Sequence, residues 1–264
     1  MARAKRHYIP GQVWHLTHRC HKRDFLLKLK MDRRNWVQWL YAAKKRYGLV
    51  ILNYCVTSNH IHLLVQDAGK RDVIPRSLQL IAGRTGEEYN MRKKRKGAFG
   101  EDRYHSTAVE TEQHLLRCLV YIDCKMVRAG VVAHPSEWPF CGYNEIQMPK
   151  RKSVLIDYQK LAKLTGFASY STFRETHKEL VNESVTNRTF GRQPGWSESV
   201  AVGSRSFVET IHSKFGFRGK GRKVLKHDIG FQLREKHRTY NVEYDGRNED
   251  IGSINTSEWD VNFE

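Results

Sequence analysis

Apolar and polar side chains alternate through residues 12–18, QVWHLTH, the period of a strand with one buried face. From Asp32, a candidate N-cap, the spacing changes: Trp36, Leu40, Ala43 and Tyr47 recur at helical intervals until Gly48 offers a stop. LVILNYCV (49–56) is a short run rich in β-branched residues. Thr57-Ser58-Asn59 has the composition of a turn, and HIHLLVQ (60–66) follows, so an antiparallel pair is predicted. Ile74, Leu78, Ile81, Thr85 and Tyr89 mark one face of a second helix, RYHSTAVE (103–110) reads as a strand, and Thr111 opens a third helix that Gly130 closes. The order βαββαβα over about 130 residues predicts an α+β fold, a ferredoxin-like βαββαβ antiparallel sheet with helices on one face.

Residues 131–152 contain three prolines and end in a basic cluster, which places a boundary near 150. The expected organisation is a first domain over 1–150, an additional C-terminal helical region over 151–226, and a tail over 227–264. The helical region fits a DNA-binding module and a small bundle packed on the first domain equally well. Charge sharpens this division. The chain carries 46 Lys plus Arg against 28 Asp plus Glu, net +18, which points to a polyanionic partner such as nucleic acid. Residues 1–227 hold 42 basic and 19 acidic side chains, residues 228–264 only 4 and 9, so a basic body is followed by an acidic, flexible tail. Five cysteines without CxxC spacing suggest neither a disulfide framework nor a cysteine zinc site, and no apolar run has the length of a membrane span. A cytoplasmic protein without membrane contact is expected.

Two features carry candidate chemistry. In the strand 60–66, His60, His62, Leu64 and Gln66 share one face and Ile61, Leu63 and Val65 the other, so both imidazoles stand close enough to share a divalent cation. A pair of surface or hydrogen-bonded histidines is the plainer alternative. On the third helix Leu115, Leu116, Leu119, Val120 and Met126 form a core side. His114, Arg117, Tyr121, Lys125 and Arg128 lie along another stripe, where cations would attract phosphates and favour the phenolate of Tyr121. Tyr121 is thus a candidate oxygen nucleophile for phosphorus, or simply an amphipathic surface tyrosine. Arg92-Lys93-Lys94-Arg95-Lys96, with Arg103, Arg117, Lys125 and Arg128, are candidate DNA contacts; a solvated charged loop is the alternative for the run 92–96.

The combination VTSNHIHLLV, FGEDRYHSTAV and YIDCKMVRAGVV resembles the single-tyrosine HUH transposases of the IS200-like group, in particular the REP-associated tyrosine transposases, over roughly residues 8–148. The resemblance implies that His60 and His62 are metal ligands for Mg²⁺ or Mn²⁺ and that Tyr121 is the nucleophile. The implied activity is to cut and rejoin single-stranded DNA beside a hairpin through a 5′-phosphotyrosine, the protein acting as a monomer or homodimer. One position departs from the pattern. The family carries Asn or Gln where this chain has Lys125, and an ammonium has no lone pair to offer a cation. Lys125 contacting the scissile phosphate, another ligand such as Asp102 or His105, and an impaired enzyme that only binds hairpins all remain open. An RNA-binding module of the same element order is disfavoured because the central strands supply few aromatics for stacking. No GxxxxGK[ST] loop occurs in the chain.

Overall fold

The computed structural model describes residues 9–101, 103–216, 221–228 and 230–235. The first seven elements follow the predicted order: β1 (Val13–Arg19), α1 (Lys30–Tyr47), β2 (Val50–Val56), β3 (His60–Gln66), α2 (Val73–Arg92), β4 (His105–Val109) and α3 (Gln113–Asp123). Their strands lie in the order β2-β3-β1-β4, all antiparallel, which is the ferredoxin-like arrangement. α1 begins at Lys30, two residues before the expected cap, and Asp32 sits buried in its first turn, paired with Arg92 at the end of α2. Gly48 does stop α1, at φ 71°, a left-handed conformation that favours glycine.

The sheet is covered on both faces, not on one. Trp36 of α1 and Ala82 of α2 line a small cleft with His18 and Ile61, so both helices lie on the face that Ile61, Leu63 and Leu16 share. α3 lies on the opposite face, against β2 and β4, where the register aligns His62 with Thr17 and Cys55, and Leu64 with His15 and Asn53. Strands sandwiched between two apolar layers read as continuous hydrophobic runs, which is why all seven residues of β2 are buried. Each fully buried leucine, such as Leu16 or Leu63, contributes about 1.5–3 kcal/mol. α3 breaks at Cys124 and resumes as α4 (Lys125–Arg128), so the helix expected up to Gly130 comes in two pieces.

The expected boundary at 150 does not separate two cores. After α5 (Tyr143–Gln147), the chain returns to the β2 edge: Ile156 bridges Ile51, and the buried Glu145 accepts from the Leu155 and Ile156 amides, both at 2.7 Å. α6 (Tyr158–Leu164), α7 (Tyr170–Thr186) and α8 (Gly195–Glu198) follow. β5 (Ala201–Gly203) then pairs parallel to β4, and after α9 (Arg205–Lys214) the hairpin β6 (Arg222–His227) and β7 (Gly230–Glu235) completes a seven-stranded sheet in the order β2-β3-β1-β4-β5-β7-β6. The region 151–226, expected to be helical, therefore supplies β5 and most of β6, and β7 follows in the expected tail. The physical reason is the open edge of β4, whose unpaired backbone groups the short apolar run Val200–Val202 satisfies. One apolar cluster runs from Ile9 through Val181 and Trp196 to Leu233. Of the expected tail, residues 230–235 are β7, while 236–264 lie outside the described residues.

Candidate active site

The two histidines of β3 emerge on the α3 face, with ring centroids 4.9 Å apart. Thr57 and Asn59, in the turn that precedes them, hold the first: His60 Nδ1 donates to Asn59 Oδ1 at 2.7 Å, with Thr57 Oγ1 at 3.1 Å. His62 Nδ1 lies 3.0 Å from Nε2 of His15 on β1, and the two rings stack at 5.2 Å. His62 Nε2 is buried and has no hydrogen-bond partner. An orphaned imidazole nitrogen is costly unless something binds it, and a lone pair at that position suits a divalent cation. No cluster of three or more His, Cys, Asp or Glu side chains set to hold a metal ion occurs among the described residues. Of the alternative ligands, Asp102 lies outside the described residues, and His105 directs Nε2 at the Ser199 carbonyl, 2.9 Å away.

α3 carries Tyr121 to this pair. Its ring centroid lies 6.2 Å from both His62 and His15, edge-on to each, and the Lys125 Nζ sits over the ring at 3.6 Å. The stripe runs partly inward, which excludes a surface position for Tyr121: Arg117 is exposed, Arg128 half-buried, and Tyr121 and Lys125 are 8% and 5% exposed. Leu115, Leu119 and Met126 are buried as the periodicity predicts, whereas Leu116 and Val120 are half-buried. The other candidate DNA contacts stay apart from the histidines. Arg92 pairs with Asp32 and lies over Tyr89, Arg95 donates to the Ala98 carbonyl, and Lys93, Lys94, Lys96 and Arg103 are exposed.

The site also contains residues that no motif announced. α8 covers Tyr121: the Trp196 ring lies 6.2 Å from it, Ser197 hydrogen-bonds its hydroxyl, and Arg192 is near enough to act on its charge. The Trp196 carbonyl meets His15 Nδ1 at 2.8 Å and Thr107 Oγ1 at 3.0 Å. Behind Tyr121, Asp123 receives the Asn53 amide at 2.9 Å and His177 Nε2 at 2.8 Å, and Gln147 Nε2 reaches His177 Nδ1 at 3.0 Å. The alternation in QVWHLTH does place His15 on one strand face, but only the pairing of β1 with β3 brings it to His62.

Burial dominates the electrostatics. It pushes Tyr121 up to about 12; Arg128, Ser197 and Arg192 pull the other way without prevailing, so the cationic stripe does not produce the low phenol pKa expected of it. Burial, with Arg128 adding to it, likewise holds the Lys125 ammonium well below its usual range and so favours the neutral amine. His15, held down to about 3 chiefly by burial, is neutral at pH 7, and His60 and His62 shift in the same direction. The unfolded chain takes up a proton on His15 near pH 6.5 that the fold refuses until about 3. Stability present above pH 6.5 is therefore lost as pH falls, at up to about 1.4 kcal/mol per unit for His15 alone. Urea unfolding at pH 7.5 and pH 5 is expected to show a drop of about 2 kcal/mol or more; equal midpoints would contradict this account.

Among the described residues no helix is long and apolar enough to cross a membrane. No curated protein matches the chain. Among solved structures, the chain is similar to a REP-associated tyrosine transposase bound to a REP hairpin, with 19% identity over 55% of this chain and 84% of that one, TM-score 0.46. It is also similar to a candidate transposase from Deinococcus radiodurans R1, with 17% identity over 40% of this chain and 84% of that one, TM-score 0.31. The family model described as "Transposase IS200 like" matches residues 10–125, the stretch that spans the four-stranded sheet, His60, His62 and Tyr121. Over these residues, fewer than half of the chain, the protein is similar to the IS200-like transposases.

Proposed function

We propose that this protein is a single-strand DNA transposase of the REP-associated type, which binds DNA hairpins and cuts and rejoins the adjacent strand through Tyr121. The observation that carries this reading is the buried Tyr121 ring beside His62, whose Nε2 has no partner, within the segment that the family model matches. His60 and His62 would hold the cation through their Nε2 atoms, since Nδ1 of each is engaged elsewhere. When bound, Mg²⁺ or Mn²⁺ supplies Lewis-acid polarisation of a non-bridging phosphate oxygen. Tyr121 Oη attacks phosphorus in line and loses its proton to solvent, while the 3′-oxygen takes up a proton from solvent and leaves as a hydroxyl, so one P–O bond replaces another and no ATP is consumed. Reversal with a different 3′-hydroxyl rejoins the strands. The half-buried Arg128 and the exposed Arg117, Arg103, Lys93, Lys94 and Lys96 supply positive charge for the DNA backbone.

The test is incubation of the full chain with Mn²⁺ and a labelled hairpin bearing single-stranded flanks. A denaturation-resistant, protease-sensitive adduct on the 5′-phosphate fragment is the expected product. Salt-sensitive hairpin binding without any adduct would instead support a non-cleaving hairpin-binding protein. The observation that favours this second reading is Lys125 in the position where the family carries an amide oxygen ligand, together with the cover over Tyr121. Lys125→Asn is expected to tighten Mn²⁺ binding roughly ten-fold, as restoring a ligand-shell oxygen should. Titration followed by electron paramagnetic resonance reads this directly, and an unchanged affinity would place Lys125 outside the metal site.

A further inference from the structure

The hydrogen atoms along the row Trp196, His15, His62 have only one arrangement. The Trp196 carbonyl can only accept, so His15 Nδ1, 2.8 Å away, carries a proton. His15 is fully buried, and the titratable side chains that face it are His62, Tyr121, Lys125 and His105, with no carboxylate among them, so a second proton on its ring would be an uncompensated buried charge. His15 Nε2 is therefore bare and accepts from His62 Nδ1, at 3.0 Å. That leaves the proton of His62 on Nδ1 and its lone pair on Nε2, the atom that is buried without a partner. In a neutral imidazole the hydrogen bond made by one nitrogen decides the state of the other, so this tautomer is imposed from outside β3.

We propose that His15 is a positioning residue that relays the Trp196 carbonyl of α8 to His62, so that His62 presents a bare Nε2 to a divalent cation and the C-terminal region completes the site. This rests on the reading of His60 and His62 as metal ligands. It also assigns a role to the chain beyond the family-matched segment. Gln193, which accepts from the Trp196 indole at 2.7 Å, Thr107, which meets the same Trp196 carbonyl, and the β4–β5 pairing fix α8 over β1, so the carbonyl is held by the sheet itself. The C-terminal region is then no separable recognition module. Its α8, set over β1 beside the strand of the histidine pair, carries part of the metal-binding apparatus.

The experiment uses the full chain with ¹⁵N-labelled histidine, in the parent, His15→Phe and His15→Gln, with the His62 ring signals assigned by their loss in His62→Gln. Phenylalanine keeps a flat ring but can neither donate nor accept, whereas the glutamine amide can do both. The parent is expected to show His62 protonated at Nδ1. His15→Phe is expected to lose that single tautomer and to bind Mn²⁺ about ten- to a hundred-fold more weakly, and His15→Gln to recover most of both. Circular dichroism confirms folding, and if His15→Phe does not fold, the parent tautomer and His15→Gln carry the test. His62 protonated at Nε2 in the parent overturns the inference, as does a folded His15→Phe with parental tautomer and Mn²⁺ affinity. A parent with the expected tautomer but no Mn²⁺ binding overturns the metal reading, and the role assigned to His15 falls with it.

Discussion

Tyr121→Phe is expected to abolish the covalent adduct, lowering its rate at least a thousand-fold, on the order of what is lost when an active-site nucleophile is removed. Hairpin affinity should stay within a factor of about three, because the substitution removes one oxygen from a residue that is 8% exposed and leaves the basic surface untouched. The ring contacts with His15, His62, Trp196 and Lys125 do not need the hydroxyl, so the variant should fold; only the hydrogen bond with Ser197 is lost. The parent's own pH profile sharpens the assignment. With the phenol pushed up to about 12, the phenolate fraction rises about ten-fold per pH unit through the neutral and mildly alkaline range. A reaction that proceeds through phenolate should accelerate accordingly between pH 7 and 9. Adduct formation by Tyr121→Phe at the parental rate would remove Tyr121 as the nucleophile, and a flat profile would mean that the proton leaves during attack, not before it.

Much of the sheet and part of this site are legible in the sequence because their signals are local. Alternation in QVWHLTH and HIHLLVQ, the turn composition of Thr57–Asn59 and the helical spacing of Trp36, Leu40 and Ala43 each depend on neighbours a few residues away, and they give the order and the faces of the first seven elements. His60 and His62 share a face for the same reason. His15 illustrates where such reading stops: its meaning comes from a partner 47 positions away, reached only through the β1–β3 register. Trp196 and Ser197 lie farther still, in a four-residue helix too short for any periodicity. β5 has three residues and is made a strand by the exposed edge of β4, a tertiary cause that overrides the helical character of its flanks. Charge misled in one respect. A row of cations beside a tyrosine lowers its pKa only where solvent or geometry lets them outweigh burial, and at 8% exposure Tyr121 is past that point.

The largest loss of stability from a single side chain is expected at Asp123. Its carboxylate is buried between Asn53 on β2 and His177 on α7, and the donors can be assigned. Gln147 offers an N–H to His177 Nδ1, so His177 carries its proton on Nε2 and donates it to Asp123 Oδ2, while the Asn53 amide donates to Oδ1. Asn53 is turned toward α3 by a register shift between Ile51 and Asn53, and its own oxygen accepts the Tyr54 amide. Gly142 leaves the necessary room, since a Cβ there would lie 2.1 Å from Asn53 Oδ1. Asp123→Ala strands two buried donors at about 1–3 kcal/mol each, a loss of roughly 2–6 kcal/mol before any cavity is counted. For a chain of this size that corresponds to a fall in Tm of roughly 10 °C. Asp123→Asn should cost far less, about 1 kcal/mol, because the His177 and Gln147 groups can reverse their donor and acceptor roles and let the new amide donate to Nε2. Urea unfolding of both variants at pH 7.5 separates a hydrogen-bonded strut from mere volume: equal losses in the two would mean that the network contributes nothing specific. The strut ties α7 to the turn of α3 that carries Tyr121, so Asp123→Ala should also loosen the tyrosine from Trp196, seen as a rise in the accessibility of that tryptophan to a neutral quencher.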